Sequence, residues 1–182
     1  EWLLADGAGG YASMTPLFSG TRRYHALWAP AMNPPVDRRV VLAHVEEKLH
    51  TGDGVAWFGT CEYSDGFYPD GSGAAEAFTL DPLPALTSES HGVRVRRELF
   101  LRPAQRGVCL TYEVEAARHW QLEIAPFLAM RSIHALIHSS ESHRVDRQRD
   151  VAGFRAVGPD LPEVHLWLDT AARVKKDPLW YY

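Results

Sequence analysis

The segment Thr21-Arg22-Arg23-Tyr24-His25 puts two guanidinium groups, a phenol and an imidazole side by side. Such a set can hydrogen-bond a neutral polyol, with the ring faces covering the apolar side of a sugar. It can equally be the start of a strand whose arginines are solvated. A second cluster, Gly7-Ala8-Gly9-Gly10, superficially suggests phosphate binding. It lacks both the spacing of a dinucleotide fingerprint and the Gly-Lys-Ser/Thr of a P-loop, and is expected to be a tight turn. His134 and His138, with His143 and Glu141 beyond them, would share a face only on a helix, as zinc ligands do. No metal site and no other cofactor is expected.

Carboxylates come next, because glycoside hydrolysis needs two acting together. Glu46-Glu47, Glu62, Asp65, Asp70 and Glu89 are present by type. Adjacent Glu46 and Glu47 fall on opposite faces of a strand and cannot form such a pair. No Gly-x-Ser-x-Gly occurs, so serine hydrolase chemistry has no support. An acid/base pair for sugar epimerisation could draw only on His25, His44 and Glu46.

The elements that must position these groups read as strands. Tyr24, Ala26 and Trp28 alternate with His25 and Leu27 until Pro34-Pro35. Val40–Leu49 is extended and leads through Gly52-Asp53-Gly54 into Val55-Ala56-Trp57, a hairpin signal. Period-two alternation is plainest from Gly92 to Arg102, where Val93, Val95, Leu99 and Leu101 face away from Arg94, Arg96, Glu98 and Arg102. Val108–Val114, Trp120–Ile124 and Val164–Leu168 repeat it. Ser132–His138 is the best helical candidate, and a short one. Gly71–Ala77 reads as a surface loop. Many strands, short turns and one polar face per strand predict an all-β antiparallel sandwich, with residues 1–182 as a single domain.

Composition agrees with a globular domain that binds something uncharged. Of 182 residues, 46% are apolar and 23% charged, with a net charge of −4, so nucleic acid and anionic membrane are poor partners. No run approaches the 18 apolar residues of a membrane span. Cys61 and Cys109 form no disulfide framework and are expected as buried thiols, which suggests a cytoplasmic protein. Glu1-Trp2 opens without an initiator Met or signal sequence, and the apolar Asp177–Tyr182 reads as the start of a further packed part.

Glu1-Trp2-Leu3-Leu4, Gly9-Gly10-Tyr11-Ala12-Ser13 and Thr21-Arg22-Arg23-Tyr24-His25 together resemble the N-terminal domain of bacterial and archaeal glycogen debranching enzymes. Asn33-Pro34-Pro35, Arg39-Val40-Val41-Leu42, Pro126–Arg131 with His134, and Trp180-Tyr181-Tyr182 extend the resemblance across nearly the whole chain. It departs from that pattern at Asp6, Met14, Ala26 and Ser132. The resemblance implies a supersandwich of the galactose-mutarotase type. It also implies a catalytic (α/α) barrel after residue 182, which would hold the acid and base for α-1,6 hydrolysis. On this reading the chain is a non-catalytic domain that packs on its own C-terminal catalytic domain. It would help recognise an α-glucan such as glycogen or a maltooligosaccharide. Arg22, Arg23, Tyr24, His25, Tyr11, Arg131 and His134 would border the glucan or the domain interface. A purely bracing role and a free-standing mutarotase or epimerase are the alternatives.

Overall fold

The alternating segments fold as strands in the computed structural model, which describes residues 1–102, 106–138, 142–148, 151–158 and 161–175. Contacts within the chain divide it into two units, Glu1–Leu136 and Ile137–Tyr182. The first unit holds β1 (Trp2–Ala5), β2 (Tyr11–Met14), β3 (Ala26–Ala29), β4 (Ala31–Asn33), β5 (Val36–Thr51), β6 (Gly54–Trp57), β7 (Thr60–Tyr63), β8 (Gly66–Asp70), β9 (Ala75–Thr79), β10 (Ala85–Ser90), β11 (Val93–Arg102), β12 (Gly107–Ala116) and β13 (Trp120–Ser132). A seven-stranded antiparallel sheet runs β1-β2-β3-β5-β13, with β4 and β6 also paired to β5. A second sheet runs β12-β11-β10-β9, and β7 and β8 form a separate hairpin. In the second unit β14 (Arg144–Arg147), β15 (Gly153–Val157) and β16 (Val164–Trp167) make a three-stranded antiparallel sheet.

The two large sheets bury their apolar faces against each other. Trp2, Met14, Leu27, Leu42 and Val45 of the first sheet, with Phe18 of the loop after β2, meet Leu86 and Leu99 of the second. Leu49 and Phe58 meet Val93 and Val95 in an adjoining cluster. This is a sandwich, as the period-two pattern predicts. Leu27, Leu49 and Leu99 have no exposed surface, so truncating any of them to Ala costs about 2–5 kcal/mol. The Trp2 indole stays satisfied inside this core by donating to the Thr15 carbonyl at 2.9 Å. Among the described residues, no helix is long and apolar enough to cross a membrane.

Three local expectations are corrected. Tyr24 and His25 precede β3 rather than belonging to it, because the backbone turns at Arg22–Tyr24 and the His25 amide donates to the Arg22 carbonyl at 3.0 Å. Ser132–His138 is not helical. It ends β13, turns at Ile133-His134 and continues without regular structure, so the spacing of His134 and His138 does not place them on one helix face. Gly71–Ala77 is not a loop: a 3-10 turn, Ser72–Ala74, leads directly into β9. The ladder from β10 supplies the order that its small residues do not. Glu141 and Asp177–Tyr182 lie outside the described residues, as does most of the connector Pro103–Gly107.

Candidate functional site

The site is built where β13 leaves the seven-stranded sheet. β13 pairs with β5 along almost its whole length, and the register slips twice. Ala43 is extra on β5, between the pairs Phe127↔His44 and Leu128↔Leu42. Ala129 and Met130 then face Val41 alone, and Arg131↔Val40 restores the starting offset. Met130 takes the left-handed backbone, at φ 50°, which marks the second bulge and re-aims the residues after it. A small-residue cushion of Ala26, Ala29, Val40 and Ile133, with Tyr11, Ala43 and Ala129 against it, lies at this end of the sheet.

Arg131 ties two turns together. Its Nη2 donates to the Arg23 carbonyl at 2.8 Å, and its Nη1 donates to the carbonyls of Ala135 and Ser132 at 2.9 and 3.1 Å. Burial lowers its pKa, with Tyr11 opposing and Arg23 adding to the shift. The guanidinium stays charged at neutral pH all the same. The Tyr11 hydroxyl donates to the Tyr24 carbonyl at 2.7 Å. Burial raises that phenol above its ordinary value against the pull of Arg38 and Arg131, so it remains a donor. With its backbone pinned, Tyr24 meets His134 edge to face, with centroids 5.8 Å apart and planes at 79°. Its hydroxyl lies 3.3 Å from His134 Nδ1, and Arg23 Nη1 donates to the His134 carbonyl at 3.3 Å. Tyr24 keeps 48% of its surface exposed. Among the described residues, no hydrogen bond of these five groups goes to a carboxylate.

Five of the seven residues singled out in the sequence therefore converge: Tyr11, Arg23, Tyr24, Arg131 and His134. Arg22 and His25 turn the other way. Arg22 Nε pairs with Glu1 at 2.7 Å. The buried His25 accepts the Thr21 amide on Nδ1 at 3.0 Å and holds Nε2 3.5 Å from Glu1. Burial lowers the pKa of His25, partly offset by Glu1. His25 thus keeps company with Thr21 and Glu1, while His44 faces Glu46, and no observation joins them as an acid/base pair.

The glycine cluster is the β1–β2 turn. Asp6 accepts the amides of Ala8 and Gly10 on one carboxylate oxygen, each at 2.8 Å, so these donors are already used. A side chain on Gly9 (φ 99°) would strike Pro35, and one on Gly10 would strike Asp6 itself. The motif is therefore explained by close approach of backbone to the β4–β5 turn. Beside it, Val36, Asp37, Arg38, Ser132, Ile133 and His134 line a hollow of about 240 Å³.

A second ionic group was missed from sequence. Glu47 and Arg97, 2% and 5% exposed, form a salt bridge between the sheets. The Tyr112 hydroxyl donates to the same Glu47 oxygen at 2.8 Å, and the Arg97 guanidinium lies 4.3 Å over the Phe18 ring. Burial, then the Glu47 charge, push the Tyr112 phenol well above its ordinary value, which keeps it a donor. A signal existed: Arg97 shares the inward parity of Val93, Val95 and Leu99.

No curated protein and no solved structure matches the chain. The family described as "Glycogen debranching enzyme N terminal" does match, over residues 1–182. That span holds the Asp6-centred turn, the Arg22–Tyr24 turn and the Arg131 tie alike, and the chain belongs to the glycogen debranching enzyme N-terminal family.

Proposed function

We propose that the chain is a non-catalytic N-terminal domain of a cytoplasmic, glycogen-debranching-type α-glucan enzyme. It packs on a catalytic (α/α) barrel that follows it and helps recognise the glucan. The half-exposed Tyr24–His134 pair carries this reading, held from behind by Arg131 and Tyr11 and flanked by Arg23. Aromatic faces ringed by neutral and cationic donors suit a polyol. Titration of the intact protein with maltooligosaccharides tests the reading. Saturable binding that weakens about tenfold in Tyr24→Ala, roughly 1.4 kcal/mol, is expected. Binding that is undetectable, or unchanged in Tyr24→Ala, overturns it.

One observation favours the bracing alternative. Arg131 and Tyr11 donate only to backbone carbonyls of their own chain in the bonds described, as purely architectural groups do. Under that reading Tyr24→Ala leaves glucan affinity intact and weakens the grip between this domain and the catalytic part.

A further inference from the structure

Strand β5 presents a second group of side chains that the glucan-facing cluster does not use. His44 and Glu46 are two residues apart and so share a face. Cys61 reaches the same place from β7. One ligand atom from each, His44 Nε2, a Glu46 carboxylate oxygen and Cys61 Sγ, lie within 4.8 Å of one another. Glu46 Oε1 is 3.9 Å from His44 Nε2 and 3.7 Å from Cys61 Sγ.

We propose that His44, Glu46 and Cys61 form a binding site for one zinc-class divalent cation.

Several features support this. The His44 ring stacks on Phe127, with centroids 4.3 Å apart and planes at 14°, which restricts its rotation and holds its Nε2 edge toward Glu46. That nitrogen is shielded from solvent and has no hydrogen-bond partner. A buried polar atom left this way is costly, and a ligand relieves it. The bulge at Ala43 immediately precedes His44, a device that re-aims side chains next to sites. Tetrahedral coordination with bonds of about 2.0 Å to N and O and about 2.3 Å to S needs ligand–ligand edges of roughly 3.3–3.5 Å. The His44–Glu46 edge of 3.9 Å exceeds that by about 0.6 Å and the Cys61–Glu46 edge of 3.7 Å by about 0.2 Å, while the His44–Cys61 edge, within 4.8 Å, must close by at most about 1.3 Å through side-chain torsions. One imidazole, one carboxylate and one sulfur favour zinc over calcium or magnesium, which take oxygen ligands.

Without an ion the sulfur holds its proton: burial, then the neighbouring Glu46 charge, push the Cys61 thiol up to about 12. On binding, that proton passes to solvent and the thiolate sulfur bonds to the metal, with no change of oxidation state. Glu47 points to the opposite face, into its pair with Arg97.

The test uses the intact, untagged protein stripped with a chelator and then dialysed against Zn²⁺ or Co²⁺. One zinc per chain is expected. So is a thiolate-to-cobalt charge-transfer band that persists in Cys109→Ser and vanishes in Cys61→Ser. His44→Phe keeps the stack on Phe127 and is expected to weaken zinc binding by at least about tenfold. Zinc retention at one per chain by the unmutated protein is a readout that needs no variant to fold. Failure to retain zinc overturns the site, as does a cobalt spectrum unchanged by Cys61→Ser.

Discussion

Arg97 and Arg131 both reach groups far away in sequence, but they meet different partners. Arg97 lies between the sheets, paired to Glu47 and covered by Phe18. Arg131 lies at the rim, half-buried, and donates to three backbone carbonyls. In the core a charge is matched by a charge, because an unpaired ion there is very costly. At the rim a charge is matched by dipoles, and the result is a pair of fixed turns that leave the Tyr24 face open. The comparison teaches that polar groups of one type specify packing in one place and shape a surface in the other.

The comparison is tested hardest at Arg97. Arg97→Met strands Glu47 in the core and is expected to cost about 3–5 kcal/mol in urea unfolding. The double change Glu47→Leu with Arg97→Met should recover most of that loss. A single change as mild as one at the rim would erase the distinction. Arg131→Ala should cost less, about 1–3 kcal/mol, the range for partly buried bonds to a charged donor. Its main signature is faster amide exchange in both turns that it joins. Tyr24→Ala should change stability by no more than about 0.5 kcal/mol, as exposed positions do, while lowering glucan affinity as described above.

The smallest effect is at His25. Its folded pKa lies below the ordinary value, so the unfolded chain binds the proton more readily. Stability is therefore full above about pH 6.5 and is lost as pH falls from there through the folded pKa. His25→Asn, followed by thermal unfolding between neutral and mildly acidic pH, should flatten that slope. An unchanged slope would assign it to other groups.

Much of this was legible in the residues. Alternation marked β5, β6, β11, β12 and the start of β13 but not β1, β2, β4, β9 or β10, and Gly52-Asp53 sits in the hairpin between β5 and β6 as its type predicts. The resemblance grouped Tyr11, Arg22, Arg23, Tyr24, His25, Arg131 and His134; five of these meet, although Arg23 and His134 are 111 residues apart, while Arg22 and His25 turn to Glu1. Other features were hidden for physical reasons. A bulge is an extra residue only relative to the partner strand, so Ala43 and Met130 carry no local mark. Arg97 is hidden by its charge, which points to solvent, whereas its parity with Val93, Val95 and Leu99 and its buried partner Glu47 turn it inward. Cys61 meets His44 and Glu46 because the chain, after the single hairpin, keeps running back along β5 past β6, where the Phe58 and Gly59 amides donate to the Glu47 carbonyl; that tertiary path is not written in composition.

The paired bulges of β5 and β13 have a consequence for how this segment tolerates length changes. They behave as two opposite phase steps: the first throws the pleats of the ladder out of step, and the second brings them back within a few residues. Deleting Ala43 alone would leave one step uncancelled. Everything on one side of it would then be inverted, turning buried Val40 outward or swinging Arg131 away from the turns it holds. Length changes in this ladder should therefore be accepted in compensating pairs, one on each strand, and rejected singly.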